Sequence, residues 1–304
     1  MIRVYFDSDV INNIHAGNFP ELSDCIVKNR SKLLIPFSQA HIYDKLPSRE
    51  HDKFWTDIDF ISGFTDKKLL NYNKKSKFTR CEIASVREVF EAIDEGMKMR
   101  DEFSNFDNIV EFFTNTINEL KEGNYGSDSI INQEGLELFN EFQNTVNNID
   151  KDDNNYKDLI QEAMDRTQSI EKDPQVYKEH REAMWQDFRL PSHFCDLDLA
   201  SAIEQIDEKI QERTDHSNFL EFARVDLKKE EMDDAFLHYI QCYTTLGNIG
   251  YHSDKIDVKR GKGFQNHLND SMHSFFGAHS DYFVVLDKKL KAKTKLLYKV
   301  FNIR

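Results

Sequence analysis

Residues 266–290 read NHLNDSMHSFFGAHSDYFVVLDKKL, and this stretch decides how the rest of the chain is interpreted. Tyr282 to Leu286 is a short run of apolar, β-branched and aromatic residues bounded by polar ones, which predicts a buried strand. Asp287 falls where that strand ends. Upstream, Asn266, Asp270 and His273 lie four and three residues apart, so a helix over this segment carries them on one face. A helix and a strand tip then present Asp270 and Asp287 to the same volume.

The N-terminus repeats the pattern. Ile2 to Phe6 is a second short apolar run, and it stops at Asp7, with Ser8 and Asp9 following. In open parallel sheets, ligands bind beyond the carboxyl ends of the strands. Two strands that each end in Asp at that edge concentrate negative charge, and like carboxylates repel unless a cation lies between them. Hard oxygen ligands of this kind suit Mg2+ or Mn2+. Such ions activate water and neutralise the leaving oxygen of a phosphodiester.

Composition narrows the classes. At 304 residues and 35.8 kDa the chain accommodates one domain with an insertion, or two domains. A formal net charge of -14 is the wrong sign for coating nucleic acid by bulk electrostatics, so any such contact is local or assisted by metal or a partner. Cys25, Cys81, Cys195 and Cys242 are widely spaced and form no CxxC pair, which excludes a zinc knuckle and a disulfide framework. No apolar run approaches the roughly 18–20 residues that span a bilayer, and no signal-peptide pattern opens the chain. A cytoplasmic protein without a membrane partner is the expectation.

Residues 1–46 predict strand, helix, strand, helix. Val10 to Ala16 has helical apolar spacing, Leu33 to Pro36 is a second strand, and Ser38 is a good N-cap for a helix carrying His41 and Asp44. This alternation favours a parallel sheet. His51 to Phe64 and Leu69 to Ile83 show no clear period. Helices are predicted over Ser85–Phe103, Phe106–Lys121, Gly135–Val146, Tyr156–Thr167, Pro174–Phe188, Leu197–Arg213 and Asn218–Thr245, with a polar linker over Asn147–Asn155. Tyr251 to Gly263 is a loop bearing Lys255, Lys259, Arg260 and Lys262, placed to hold a phosphate backbone if it borders the acidic crevice. A basic helix over Lys291–Tyr298 and a last short strand over Val300–Ile303 close the chain. The middle, 47–263, therefore reads as a mainly helical insertion enclosed by 1–46 and 264–304.

Several further residues have more than one reading. His41, His267, His273 and His279 cluster near the acids, where they hydrogen bond an acid or a carbonyl, transfer a proton, or ligate metal. Asp281 either supplements the acids or caps a strand start. His238 and Cys242 share a helical face without a third member and read as core.

Through YFDSDV at 5–10, IPFSQAHIYDK at 35–45, NDSMHSFFGAHSDYFVVLDKKL at 269–290 and the closing Lys-rich helix with VFNI, the chain resembles the PIN-like nuclease superfamily. The resemblance covers the two ends only. It implies an α/β fold with a parallel sheet flanked by helices, and an acidic site that binds Mg2+ or Mn2+ and cuts RNA or, less often, DNA. By position Asp7 takes the first acid of the family motif, Asp44 the helical second, Asp270 the third and Asp287 the fourth, all four as catalytic and metal-binding residues. Asp9 takes the small polar position, with His41, His273 and Asp281 in support. Val285 stands where the family often has Thr or Ser. The implied function is a metal-dependent endonuclease favouring RNA; the acidic surface, which repels a long duplex, points to single strands, and the insertion shapes access or docks a regulatory protein partner. The alternative is an inactive PIN-like binding or regulatory protein that works through the insertion.

Overall fold

The computed structural model describes residues 1–51, 53–73, 78–102, 154–224, 234–261 and 263–303. The chain divides into two compact units, Met1–Glu91 with Asp173–Arg304, and Ala92–Lys172. Residues 47–91 and 173–263 thus share a unit with both chain ends. The helices expected over Phe106–Lys121 and Gly135–Val146 lie outside the described residues, as does most of the Asn147–Asn155 linker.

The larger unit is built around strand β1, Ile2–Phe6, the centre of a three-stranded parallel sheet. Its neighbours are β2, Leu33–Leu34, and β5, Tyr282–Val284. Val4 pairs with Tyr282, Tyr5 with Phe283 and Phe6 with Val284, and the Asp7 N–H extends the ladder by donating to Val284 O at 3.0 Å. Both flanking strands are shorter than predicted. Pro36 has no N–H to offer a ladder, and the chain beyond Val285 turns outward, leaving Leu286 exposed.

In chain order the helices begin with α1 (Ser8–His15), α2 (Pro20–Lys28), α3 (Gln39–Lys45) and α4 (Lys53–Phe64). Ser38 caps α3 as expected, its Oγ accepting from Ala40 N–H at 3.3 Å. An antiparallel hairpin follows, β3 (Lys68–Asn73) and β4 (Phe78–Ile83). It joins the sheet edge through Phe37, whose N–H donates to Lys68 O and whose carbonyl accepts from Leu70 N–H. Leu69 falls on the face of Asn71 and Arg80, and Lys68 and Thr79 fall on the face of Leu70 and Tyr72, so the alternation in its sequence is weak.

Next come α5 (Val86–Glu102), α6 (Asn154–Lys172), α7 (Pro174–Asp187), α8 (Leu199–Arg213), α9 (Phe219–Ala223) and α10 (Ala235–Asn248). The helix expected over Asn218–Thr245 is therefore not continuous. Asp234 starts a new one by accepting from the N–H groups of Phe236 and Leu237. After α11 (Phe264–Ala278) and β5 the chain ends in α12 (Lys288–Val300).

The strand expected over Val300–Ile303 is absent. Asn302 adopts φ 53°, and Ile303 N–H turns back to Tyr298 O at 2.8 Å, so these residues close α12 instead of joining the sheet.

Helix α11 lies across β1 and α3 and packs on α10. This crossing is tight at Gly277. A Cβ there would meet the Phe283 ring of β5 at 2.6 Å, so only glycine lets the helix approach the strand this closely. Gly277→Ala is expected to cost about 1–3 kcal/mol through overpacking. Adding Phe283→Leu should recover part of that loss, which a double-mutant cycle of thermal or urea unfolding measures. Purely additive effects would show that the helix relaxes without using this contact.

Candidate functional site

Because β1 and β5 run parallel and side by side, their carboxyl ends coincide, and each continues into a helix capped by an aspartate. Asp7 Oδ1 accepts from Ser8 N–H at 2.9 Å at the start of α1. Asp287 Oδ1 accepts from Lys289 N–H at 2.6 Å and Leu290 N–H at 2.9 Å at the start of α12. Both carboxylates gain from the positive end of the helix they cap. Helix α3 contributes Asp44 and helix α11 contributes Asp270. Asp7, Asp44, Asp270 and Asp287 all line one cleft of about 410 Å³, together with Asp9 and Asp254. Asp7 is buried, Asp44 and Asp270 are half-buried, and Asp9 and Asp287 are exposed. Among the described residues no group of three His, Cys, Asp or Glu side chains is arranged to hold a metal ion. The acids border a shared space without converging on a point.

His273 organises the floor of this cleft. Its Nε2 lies 2.8 Å from Asp44 Oδ2 and 3.2 Å from Ser8 Oγ, and its Nδ1 lies 2.9 Å from Tyr5 OH. Burial disfavours the imidazolium, but the charge and hydrogen bond of Asp44, with Asp7 and Asp270 behind it, outweigh burial and raise the pKa to about 9. At neutral pH both ring nitrogens therefore carry protons. Nε2–H donates to Asp44 and Nδ1–H to Tyr5, whose hydroxyl is left to donate to Ser38 Oγ at 2.6 Å. Asn269 Nδ2 donates to Asp44 Oδ1 at 2.8 Å, so both Asp44 oxygens are engaged. Burial works against ionised Asp44, yet these contacts keep its pKa below the ordinary carboxylate value.

Asp7 and Asp270 respond in the opposite sense. Burial pushes Asp7 up to about 6, with Asp44 and Asp9 adding repulsion against the pull of His273 and the Ser8 N–H. Asp270 is driven well above its usual range by burial, and Lys293 only partly offsets the repulsion of Asp254, Asp44 and Asp7. Two of the four acids thus hold protons more tightly than free aspartate does.

The supporting residues divide. His41 is buried beneath the cleft. Its Nδ1 accepts from Ser38 N–H at 3.0 Å, so Nε2 is the donor to Phe6 O at 2.8 Å, and the ring ties α3 to the end of β1. Burial and the charge of His273 lower its pKa to about 3, and it is neutral. Asp281 does not supplement the acids. It accepts from Arg3 N–H at 2.8 Å where β5 begins, at the opposite end of the strands.

Other residues were not anticipated from the sequence. Asp254, in the loop read as basic, accepts from the fully buried Lys293 at 2.5 Å and lies 3.2 Å from His267 Nδ1. Despite burial these neighbours hold its carboxyl well below the usual range. Tyr177 and Arg181 reach the same cleft from α7. No spacing in the sequence connects them to the acids. No family model, curated protein or solved structure matches the chain.

The folded pKa of His273 lies above its ordinary 6.5, so its stabilising contribution is complete below about pH 6.5 and is lost as pH rises through about 9. The raised pKa of Asp7 acts with the same sign between its ordinary 3.8 and about 6, where deprotonation brings repulsion into the fold. His273→Gln is expected to flatten the decline in melting temperature between pH 6.5 and 9. It should cost on the order of 2–3 kcal/mol at pH 6.5. An NMR titration placing the His273 imidazole near 6.5 would contradict the arrangement.

Proposed function

We propose that the cleft is the centre of a divalent-metal-dependent nuclease of PIN-like type, hydrolysing phosphodiester bonds and preferring RNA. One observation carries the reading: carboxylates from the end of β1, from α3, from α11 and from beyond β5 border a single cleft at the carboxyl edge of a parallel sheet. Burial, with repulsion from the neighbouring carboxylates added to it, raises the proton affinity of Asp7 and Asp270, and a bound cation would favour their charged forms. The donors are carboxylate oxygens, which suit Mg2+ or Mn2+. Mg2+ keeps several waters and takes only one or two direct carboxylates, so acids spread around a cleft fit a hydrated ion better than a closed cage would. Bound there, the ion would supply an activated water and charge neutralisation at phosphorus.

The residues divide the remaining work. Asp7, Asp270 and Asp287 would hold the ion, two of them already fixed as helix caps. Asp44, pinned by His273 and Asn269, stays ionised and faces the cleft to orient a water. The preference for RNA comes from the family resemblance. Single strands are favoured because the net charge of -14 repels a long duplex. Cytoplasmic action fits the lack, among the described residues, of any helix long and apolar enough to cross a membrane. A regulatory protein docking on the residues between the two chain ends belongs to the same reading.

A second reading keeps the fold and drops the cleavage, making the chain a binding or regulatory protein. It draws on the absence, among the described residues, of three ligating side chains already in place, and on Val285 packing against the apolar core. The two readings separate on labelled single-stranded RNA and DNA incubated with Mn2+ or with chelator. The nuclease cuts only with metal, and Asp7→Asn and Asp270→Asn each slow it on the order of 100-fold while remaining folded by circular dichroism. Intact substrate in every arm, with no rise in melting temperature on adding Mn2+, selects the second reading.

A further inference from the structure

Beside the acidic cleft, α7 and the turn after α10 enclose a second hollow of about 520 Å³. Arg181, Asp254, Lys255, Ile256 and Lys289 line both, so one space opens into the other. The charge changes sign between them. Lys178, Arg181, Arg189, Lys255 and Lys289 line the second hollow, against the carboxylates of Glu182 and Asp254. Asp254 is already matched by Lys293, and Glu182 lies 3.8 Å from Lys178. In a chain of net charge -14, this is a local excess of cations opposite in sign to the molecule.

Trp185 makes the excess a built feature. Its indole N–H donates to Asn248 O at the end of α10, which fixes the ring. Against that ring lie the guanidinium groups of Arg189 at 3.9 Å and Arg181 at 4.8 Å. Cation–π contact narrows the positions of both arginines, so less freedom is lost when they grip an anion. Arg181 is only 7% exposed, and its Nη1 donates to Ser253 Oγ at 3.1 Å and Asp254 O at 2.8 Å. Its Nε is buried without a hydrogen-bond partner. A buried cationic donor left unmatched is costly, and an arriving oxyanion relieves that cost.

We propose that this hollow is the track for the phosphodiester backbone of a single-stranded nucleic acid, with Arg181 and Arg189 gripping phosphates beside the bond presented to the acidic cleft. The choice of ligand rests on the nuclease reading; the anion-binding character rests on the groove itself. A hollow of this size admits a few nucleotides of one strand, and its acidic surroundings repel a longer duplex.

The test is fluorescence anisotropy of the full-length chain with fluorescein-labelled 12-residue oligouridylate and oligothymidylate, with excess chelator so that nothing is cut. Wild type is expected to bind with an affinity that falls as salt rises, and a duplex of the same length to bind more weakly. Arg189→Glu and Lys255→Glu, both exposed positions, should each weaken binding about tenfold or more. Binding by both charge-reversal variants equal to that of wild type overturns the proposal, as does failure of wild type to bind either oligonucleotide. If those variants keep wild-type binding while wild type cuts with Mn2+, the groove falls and the nuclease centre stands. If they lose binding while wild type never cuts, the groove stands and the nuclease centre falls.

Discussion

Repulsion among carboxylates at the sheet edge is the constraint around which the described structure is arranged. Asp7 and Asp287 are brought there by the pairing of β1 with β5, and Asp44 and Asp270 by the packing of α3 and α11 over β1. Left to themselves these groups would oppose the packing that assembles them. His273 answers the repulsion from inside, as an imidazolium 2.8 Å from Asp44 and 3.8 Å from Asp7. A histidine in this position combines the charge of a lysine with two directional donors. One N–H spans the acids, and the other anchors the ring to Tyr5 and, through it, to Ser38 at the start of α3.

A second charge system lines the same cleft. Lys293, wholly buried, is stabilised by Asp254 and by the Tyr243 ring at 4.4 Å. Burial of an ammonium group this deep is tolerable only with such partners. It ties Asp254 to α12, and Asp254, Lys255 and Ile256 line both the acidic cleft and the cationic hollow. The two systems share a logic: a buried cation from a core helix holds an aspartate at the cleft wall. They differ in the donor: Lys293 offers an ammonium on a flexible arm, His273 two N–H groups fixed in the plane of a ring.

Much of this was legible in the sequence for identifiable reasons. An aspartate at the end of a short apolar run marks a strand tip, and four- and three-residue spacing marks a helical face; both signals are local and survived folding. Ser38 as the cap of α3 was legible for the same reason. Asp281 kept two readings in the sequence because proximity to Asp287 does not tell which end of a short strand a residue occupies; it sits at the strand start. The β3–β4 hairpin escaped notice because Leu69 sits on its polar face and Lys68 and Thr79 on its apolar one, which blurs the alternation. Asp254 and Lys293 are 39 residues apart, and Arg181 lies further still from the acids, so their meeting is a product of tertiary packing with no local trace. The start of α10 at Asp234 and the closure of α12 at Asn302 turn on single residues whose alternatives, continued helix or strand, fit the apolar pattern equally well.

The position of β1 between β2 and β5 has a consequence for how the protein is born. Arg3 bonds to Asp281 across 278 residues of chain, and the pairing of these two strands spans nearly the whole polypeptide. On a ribosome adding about 5–20 residues per second, roughly a quarter of a minute to a minute passes between the appearance of the first strand and that of its partner. During that interval Asp7 has neither its neighbouring strand nor His273. The acidic pocket is completed only once α11, β5 and Asp287 have been made, so a chain released before then carries the opening motif without the pocket.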